Sequence, residues 1–600
     1  MKPSLLLALA AAGIVLFSAG CRRKSNSPLD PPATGRPTWS PTEITVIEGR
    51  TGTATLSLNR IPSGSSVNVS VDSDEAGEVT FPSNVTFVVG DTTESVTIGG
   101  VPLETGEARV TVLTASTNNG SSELVVTVLD DDGTTGGVSS PVTWGPGRVL
   151  LLGVGADLLP GTADDELIVA SGVGSGTPVL TRGGTGPARF DDPGLPVVTG
   201  VGDSVLLLTA AGALPLLTQM GAIETTPAVT ATLNLTGIAG AVARPVMVGA
   251  RAVLVTLGID GVPSFDDAAL VIDGIGGTTL TSRSVSLPGL ALGDPCIPVA
   301  VGPHAFVIVT AGADLQFGTG DEGLVLVHSL DTTPVTVPLA AGRIHGSAAG
   351  RPMVSGGTIA AVMTAGFDGA FGTADDALQV VRDLLTGPAP AVPLVVGPAT
   401  PGAEGLPFAT GADAAVIPLL GADLTAGTGD DEIAVVTALS LDPMSVLTAT
   451  APNPAPGPAG AMVQLSSSDA VRLSRGPDGA LGTPDDALVL LGSLGPAPTS
   501  LTLPVGALRD HPPLPTSSSG VALAGEGPDN VPGTEDDRTW SVTGIGTSPL
   551  ARSLTTGAFA PLGRVAAVPT PSGHSIAGVT AGEDAAPSTA DDRLSVNAVP

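Results

Sequence analysis

The sequence predicts an all-β chain: a β-sandwich followed by a long repeated β-domain, with almost no helix. Three observations carry this. Short apolar runs are cut throughout by abundant Gly (81) and Pro (55), the texture of many short buried strands. A period-two alternation of apolar and polar residues runs through residues 41–133. An acidic loop, Gly366-Phe-Asp368-Gly-Ala-Phe-Gly372-Thr-Ala-Asp375-Asp376, has near-copies along most of the chain after residue 140.

Composition narrows the function classes. Acidic residues outnumber basic ones by 57 to 24, a formal charge of -33. Nucleic acid, whose phosphates need Lys and Arg, is thereby disfavoured as a partner. So is adsorption to an anionic membrane surface. A mean hydropathy of +0.39 is too apolar for a disordered chain. Aromatics are 2% of residues and Tyr is absent, which disfavours an aromatic platform for sugars or bases.

At the N-terminus, Lys2 precedes the apolar run Leu5–Phe17, long enough for a signal-peptide core and too short for a bilayer span. Ser18-Ala19-Gly20-Cys21 follows. It resembles the lipobox of bacterial lipoproteins, with Ser18 where that family has Leu. The resemblance implies residues 1–20 as signal peptide and Cys21 as the lipidated residue of an exported, envelope-anchored chain, with the outer membrane or cell surface as its location. Its partner there would be the membrane, through the lipid. Residues 21–40, rich in Pro, Ser and Thr, read as a tether. Cys296 then has no partner and is expected to behave as a small buried apolar residue.

Residues 41–133 offer strand-like runs at Ile44–Ile47, Thr55–Leu58, Val67–Val71, Val85–Val89, Ser95–Ile98, Ala108–Leu113 and Leu124–Leu129. Val46-Ile-Glu48-Gly49, Val79-Thr-Phe81, Val85-Thr-Phe-Val-Val-Gly90 and Val126-Thr-Val-Leu-Asp130-Asp131-Asp132-Gly133 together resemble the Calx-beta domain, an Ig-like sandwich. That resemblance implies calcium at Glu48, Asp130, Asp131 and Asp132, although the family's acidic pair before the penultimate strand is reduced to Glu104 and Glu107. The bland reading of the acidic run is a strand cap opening the linker 134–141.

From 142 to 600 the loop returns as Asp157 with Asp164-Asp165, Asp260 with Asp266-Asp267, Asp314 with Asp321-Glu322 and Asp368 with Asp375-Asp376. Further copies are Asp423 with Asp430-Asp431, Asp478 with Asp485-Asp486, Asp529 with Asp536-Asp537 and Asp584 with Asp591-Asp592. The first aspartates are 103, 54, 54, 55, 55, 51 and 55 residues apart. Midway through the double gap, Val205–Gly212 is the right strand without its loop, so nine units are expected, eight with a loop. Three to four short strands in each unit is the size of a β-propeller blade, and eight or nine blades are expected. An open solenoid or a string of small sandwiches is the competing architecture.

The loop chemistry admits two readings. Gly permits a tight reversal, and Asp can accept nearby backbone N–H bonds as an Asx turn, so the motif can be a hairpin lock. Three carboxylates with loop carbonyls can also supply hard oxygens to calcium. The Asp157-to-Asp165 and Asp368-to-Asp376 spacing resembles the calcium loops of FG-GAP propeller repeats. That family's further ligands are missing, since Leu159, Gly161, Ala370 and Gly372 stand in their places.

No catalytic constellation is recognisable. His304, His328, His345, His511 and His574 are isolated from one another, and no nucleophile elbow or phosphate loop is present. The expected role is binding, adhesion or scaffolding at the cell surface, toward an extracellular protein or polysaccharide. The alternative is a propeller enzyme acting on extracellular polysaccharide. Its site would lie where units depart from the repeat, as at Arg182, Arg189, Asp191 and Asp192, or at Arg509-Asp510-His511.

Overall fold

The computed structural model describes residues 35–599 apart from 48–50, 61–65, 75–78, 102–108, 130–138, 140, 156–158, 174–177, 191–193, 212–213, 236–241, 443, 453, 495–497, 510, 527–537, 556–564, 571–572 and 581–592. Cys21, Glu48, Glu104, Glu107, Asp130, Asp131, Asp132, Asp157, Asp191, Asp192, Asp510, Asp529, Asp536, Asp537, Asp584, Asp591 and Asp592 lie outside the described residues. The described chain is all-β, with 3₁₀ turns at Ala348–Gly350, Gly457–Gly460 and Gly194 as its helix. It divides into two compact units, one up to residue 128 and one from 129 onward.

The first unit has two antiparallel sheets. One orders Pro37–Ser40, Thr51–Leu58, Thr93–Gly100 and Val79–Thr80; the other orders Glu43–Ile47, Gly120–Leu129, Arg109–Thr117, Val67–Ser73 and Asn84–Phe87. Both feed one core, in which Trp39, Leu56, Ile98, Phe87, Leu113 and Leu124 are almost wholly buried. Alternation explains why: in Val67–Ser73 the three valines point inward and Asn68 outward. The Pro37–Ser40 strand falls within the stretch that composition reads as tether. Trp39 anchors it by burying its indole in the core, and the extended preference of the neighbouring prolines is compatible with an edge strand.

In the second unit the described residues form nine antiparallel sheets, eight four-stranded and the last three-stranded. Each runs up and down in chain order. The first is Val142–Thr143, Arg148–Gly153, Glu166–Ser171 and Val179–Gly184; the last is Val565–Thr570, Gly573–Thr580 and Arg593–Val599. The second strand of a sheet is buried on both faces, as Phe306–Thr310 and Ile359–Thr364 show, which is why it reads as an unbroken apolar run. The fourth strand is the outer edge and is mostly exposed, as in Thr499–Pro504.

Alternate residues of one strand serve two neighbours. Leu150 and Leu152 pack with Val205 and Leu207 of the next sheet, while Val149 and Leu151 pack with Val568 and Ala577 of the last one. Each fully buried Leu or Val contributes about 1.5–3 kcal/mol, so these inter-sheet seams dominate the stability. The last sheet also meets the eighth, through Ile576 and Ala522. It bonds the first directly: Gly147 N–H donates to Pro569 O at 2.6 Å and Thr143 Oγ1 to Ala567 O at 2.9 Å. First strands of successive sheets touch one another, including Val246–Val248 with Val299–Ala300, Leu514–Ser517 with Val565–Thr570, and Val565–Thr570 with Val142–Thr143. Sheets stacked face to face with their first strands converging are a propeller-like arrangement.

Candidate functional site: repeated acidic loops and an axial cavity

Each described loop joins the second and third strands of its sheet, and its carboxylates have separate jobs. The first aspartate closes an Asx turn. Asp368 Oδ1 accepts the Ala370 N–H at 2.8 Å, Asp423 Oδ1 the Thr425 N–H at 2.8 Å and Asp478 Oδ1 the Ala480 N–H at 2.8 Å. The next carboxylate bonds back across the loop mouth. Asp375 accepts the Asp368 N–H at 3.0 Å and the Thr373 hydroxyl at 2.8 Å. These donors hold Asp266, Asp321, Asp375, Asp430 and Asp485 below the usual carboxylate range; the Ser or Thr hydroxyl is the largest cause in four of them, and the Asp368 N–H in Asp375. Such closeness requires Gly two residues before the first aspartate. A Cβ on Gly366 would lie 1.9 Å from the Asp375 carbonyl oxygen.

The third carboxylate is different, because it is buried. Asp165, Asp267, Glu322, Asp376, Asp431 and Asp486 are at most 1% exposed. Asp376 Oδ2 accepts N–H bonds from Gly372 (2.8 Å) and Thr373 (3.2 Å) in its own loop and from Ala399 (2.9 Å). Ala399 belongs to the segment entering the next sheet, where it bridges Leu419. Asp165 with Ala188, Asp267 with Leu290 and Asp486 with Leu508 repeat the bond at 2.7, 2.9 and 2.9 Å. In these four units the carboxylate thus latches the sheet to its successor, whereas Glu322 turns its oxygens to Thr319 and Gly320 of its own loop. The Oδ1 atoms of Asp165, Asp267, Asp376 and Asp486 are buried without a hydrogen-bond partner. Burial therefore pushes these acids upward, Asp486 to about 6.

The Asp431 loop also lacks the cross-sheet bond, for a different reason. The residue that should donate to Asp431 is Pro454, which has no N–H and still bridges Ser474. Arg472 compensates. It is 1% exposed, in a strand where the other units place Leu254, Ile308 or Val362, and its charge favours the Asp431 carboxylate. Burial in turn lowers the Arg472 guanidinium to about 10. The loopless second sheet closes with a direct hairpin, and there Thr209 and Thr218 share a buried hydroxyl bond of 2.7 Å.

The calcium reading meets these same oxygens. Asp368 Oδ1 and Asp375 Oδ1 already share the Thr373 hydroxyl, at 3.3 and 2.8 Å. Among the described residues no group of three or more His, Cys, Asp or Glu side chains is gathered as ligands for a metal ion. The donor set fits a hydrogen-bonded lock better than a cation cage.

Residues that differ between units converge elsewhere. A cavity of about 740 Å³ is lined by segments from the first five sheets of the second unit, and contains Arg189, Arg244 and Arg351 among Val, Leu, Ile and Pro side chains. An adjoining cavity of about 340 Å³ shares Val142 and Arg244 and adds His511 and Ala566. Apart from Ala524, these residues precede or belong to the first strands, so both cavities lie where the first strands converge. Arg244-Pro245-Val246 and Arg351-Pro352-Met353 occupy the place held elsewhere by Leu195-Pro196-Val197 and Ile297-Pro298-Val299. Arg244 Nη2 donates to Pro196 O at 3.1 Å, and Arg351 Nε lies 4.0 Å from Asp294 Oδ1. Arg182, by contrast, sits on a fourth strand with Glu166 and away from these cavities. Cys296 is buried, and burial pushes its thiol up to about 12.

No protein-family model matches the chain, and no curated protein matches it in sequence. Among solved structures it is similar to a quinonprotein alcohol dehydrogenase-like protein from Bacteroides thetaiotaomicron, at 9% identity and a TM-score of 0.26, over 86% of this chain and 94% of that one. It is also similar to NanB in a structure with optactamide, at 12% identity and a TM-score of 0.20, over 91% of this chain and 82% of that one. At such scores neither likeness transfers a chemistry.

The aspartates of the loops were legible in the sequence; Arg472, Arg244 and Arg351 were not singled out there. Their signals were the missing N–H at Pro454, a charge inside an otherwise apolar strand, and Arg standing before the Pro that opens a first strand.

Proposed function

We propose that this chain is an exported, lipid-anchored binding protein of the cell envelope. On this reading a Calx-beta-like sandwich follows the anchor, and a closed propeller of nine blades presents an axial binding face. One observation carries the binding role: the repeated carboxylates are consumed in closing their own loops and, in four units, in joining sheets, whereas the unrepeated Arg189, Arg244 and Arg351 meet in one cavity. Repetition serves structure, and departure from repetition serves recognition. The larger cavity offers guanidinium and aliphatic groups rather than a carboxylate pair among its described lining residues, which favours binding over glycoside hydrolysis.

Two experiments test the reading. Cys21→Ser should move the protein from the membrane fraction to the soluble one, and unchanged partitioning would remove the anchor. Deleting 565–600 from the full chain should raise hydrogen exchange in Val149–Leu152, because the ring is closed through those strands. Exchange confined to the eighth sheet would instead indicate an open array.

A further inference from the structure

We propose that a groove beside the acidic loops of the fourth and fifth sheets of the second unit binds a neutral hexose polysaccharide, with one sugar ring against Phe367. The groove lies apart from the axial cavity, and the inference does not depend on that cavity.

The placement of aromatic rings comes first. The chain has 11 Phe, 3 Trp and no Tyr in 600 residues, so rings are scarce on average. Phe317, Phe367 and Phe371 nonetheless line two cavities, of about 540 and 560 Å³, that share Arg343 and Ala365. Phe317 and Phe371 stand three residues after the first aspartate of successive loops and pack against the inter-sheet cores, as Leu481 does in the seventh. Packing accounts for those two. Phe367 is 99% exposed and contributes nothing to a core. Its place takes Ile259, Ala313, Ala422 or Pro477 in other loops. A ring held in water at the edge of a cavity offers a flat apolar face to the C–H side of a sugar.

The polar groups come second. Arg343 stands where other units have Pro187, Gly289, Pro398 or Ala507. Its side chain crosses to the next loop and lies against Gly369, where a Cβ would collide with Nη1. The cavity beside Phe367 also holds the Gln379 amide and the Asp375 carboxylate, which its loop donors keep ionised. Arg343 and Asp375 are opposite in sign, so the ligand need carry no charge. Guanidinium, carboxylate and amide present donors and acceptors in pairs, and adjacent sugar hydroxyls are donors and acceptors at once. A polyanion would instead meet Asp314, Asp321 and Asp368 on the two loops.

The adjoining cavity adds an uncharged donor. Ser347 Oγ accepts N–H bonds from Gly402 at 3.2 Å and Ala349 at 3.4 Å, so its own hydrogen goes to His345 Nδ1, 2.6 Å away. The proton of the neutral imidazole then sits on Nε2, and burial disfavours the charged form. An extended peptide fits the groove less well. Its outer wall is the edge strand Val392–Val395, where Pro393 has no N–H to offer an added strand.

Affinity electrophoresis of the full-length chain tests the site, in gels carrying a soluble β-glucan, an α-mannan or a galactan, with polygalacturonate as the acidic counterpart. At least one neutral polymer should retard the chain, and about 0.5 M salt should not release it. Phe367→Ala and Arg343→Gln should each weaken that binding roughly tenfold, the scale of one lost ring contact or one lost charge-assisted bond. Phe265→Ala removes a ring that is 65% exposed on the third sheet's loop and should change nothing. Phe367→Ala should melt with the wild type, because its ring is in water, which separates lost binding from lost folding. Retardation by none of the neutral polymers would overturn the proposal. So would full affinity in Phe367→Ala, or retardation by polygalacturonate alone.

Discussion

Asp376→Ala cuts the latch between the fifth and sixth sheets of the second unit. It removes three hydrogen bonds, to Gly372, Thr373 and Ala399. The two loop N–H groups are half-exposed and can turn to water. Ala399 is 1% exposed and cannot, so its N–H is left buried without an acceptor. An orphaned buried donor costs about 1–3 kcal/mol, and the vacated space adds to it. Relief of the carboxylate's own desolvation works the other way, since burial already opposes its charge. A net loss of about 3 kcal/mol results. At about 2.1 cal/mol/K per residue, a cooperative unit of roughly 460 residues would melt about 3 °C lower. Differential scanning calorimetry reads the shift, and hydrogen exchange at Ala399 and Leu420 locates it. Asp375→Ala is the matched control: it lies in the same loop, is solvated, and should lower the melting temperature much less. Equal effects of the two substitutions, or exchange that rises only within residues 366–376, would refute the latch.

The same logic extends to three further tests. Arg472→Leu should destabilise by about 1 kcal/mol, because loss of the charge that favours the Asp431 carboxylate is partly offset by removing two unpartnered buried nitrogens. Pro454→Ala in that background should restore part of the loss by returning the missing N–H, and strict additivity in the double-mutant cycle would contradict the compensation. Acidity should act in two opposed directions. Asp486 has a folded pKa raised from 3.8 to about 6, so its contribution is complete below pH 3.8 and is lost as pH rises through 6. Asp375, Asp430 and Asp485 have depressed values, so their contribution is present above 3.8 and is lost on further acidification. The melting temperature should therefore peak near pH 4 and fall between about pH 4 and 6, and Asp486→Asn should flatten that fall. Calcium provides the last check: with the loop carboxylates engaged by N–H and hydroxyl donors, EGTA should leave the melting temperature unchanged. A fall reversed by added calcium would favour the ion reading of the loops.

Much of the architecture can be read from local signals. Strand runs in residues 41–133 follow period-two alternation, and the spacing of first aspartates marks the units of the second region, including the loopless one. The division of labour within a loop cannot be read this way. Asp375 and Asp376 are adjacent and chemically identical, yet one faces water and the other faces the neighbouring sheet. The partner that distinguishes them is a backbone N–H at Ala399, which any residue except proline would provide. Only the exception at Pro454, with Arg472 opposite, leaves a trace in residue identity.

The sequence by itself determined the strand content, the repeat length and the Gly and Asp framework of the loops, because these depend on backbone sterics and bonds among near neighbours. The tertiary structure decided which carboxylate is buried, which sheet follows the last, and which arginines share a cavity. Those relations join residues far apart in the chain. Sequence distance carries no measure of angle about an axis, and Arg189, Arg244 and Arg351 become neighbours only when successive sheets turn around it.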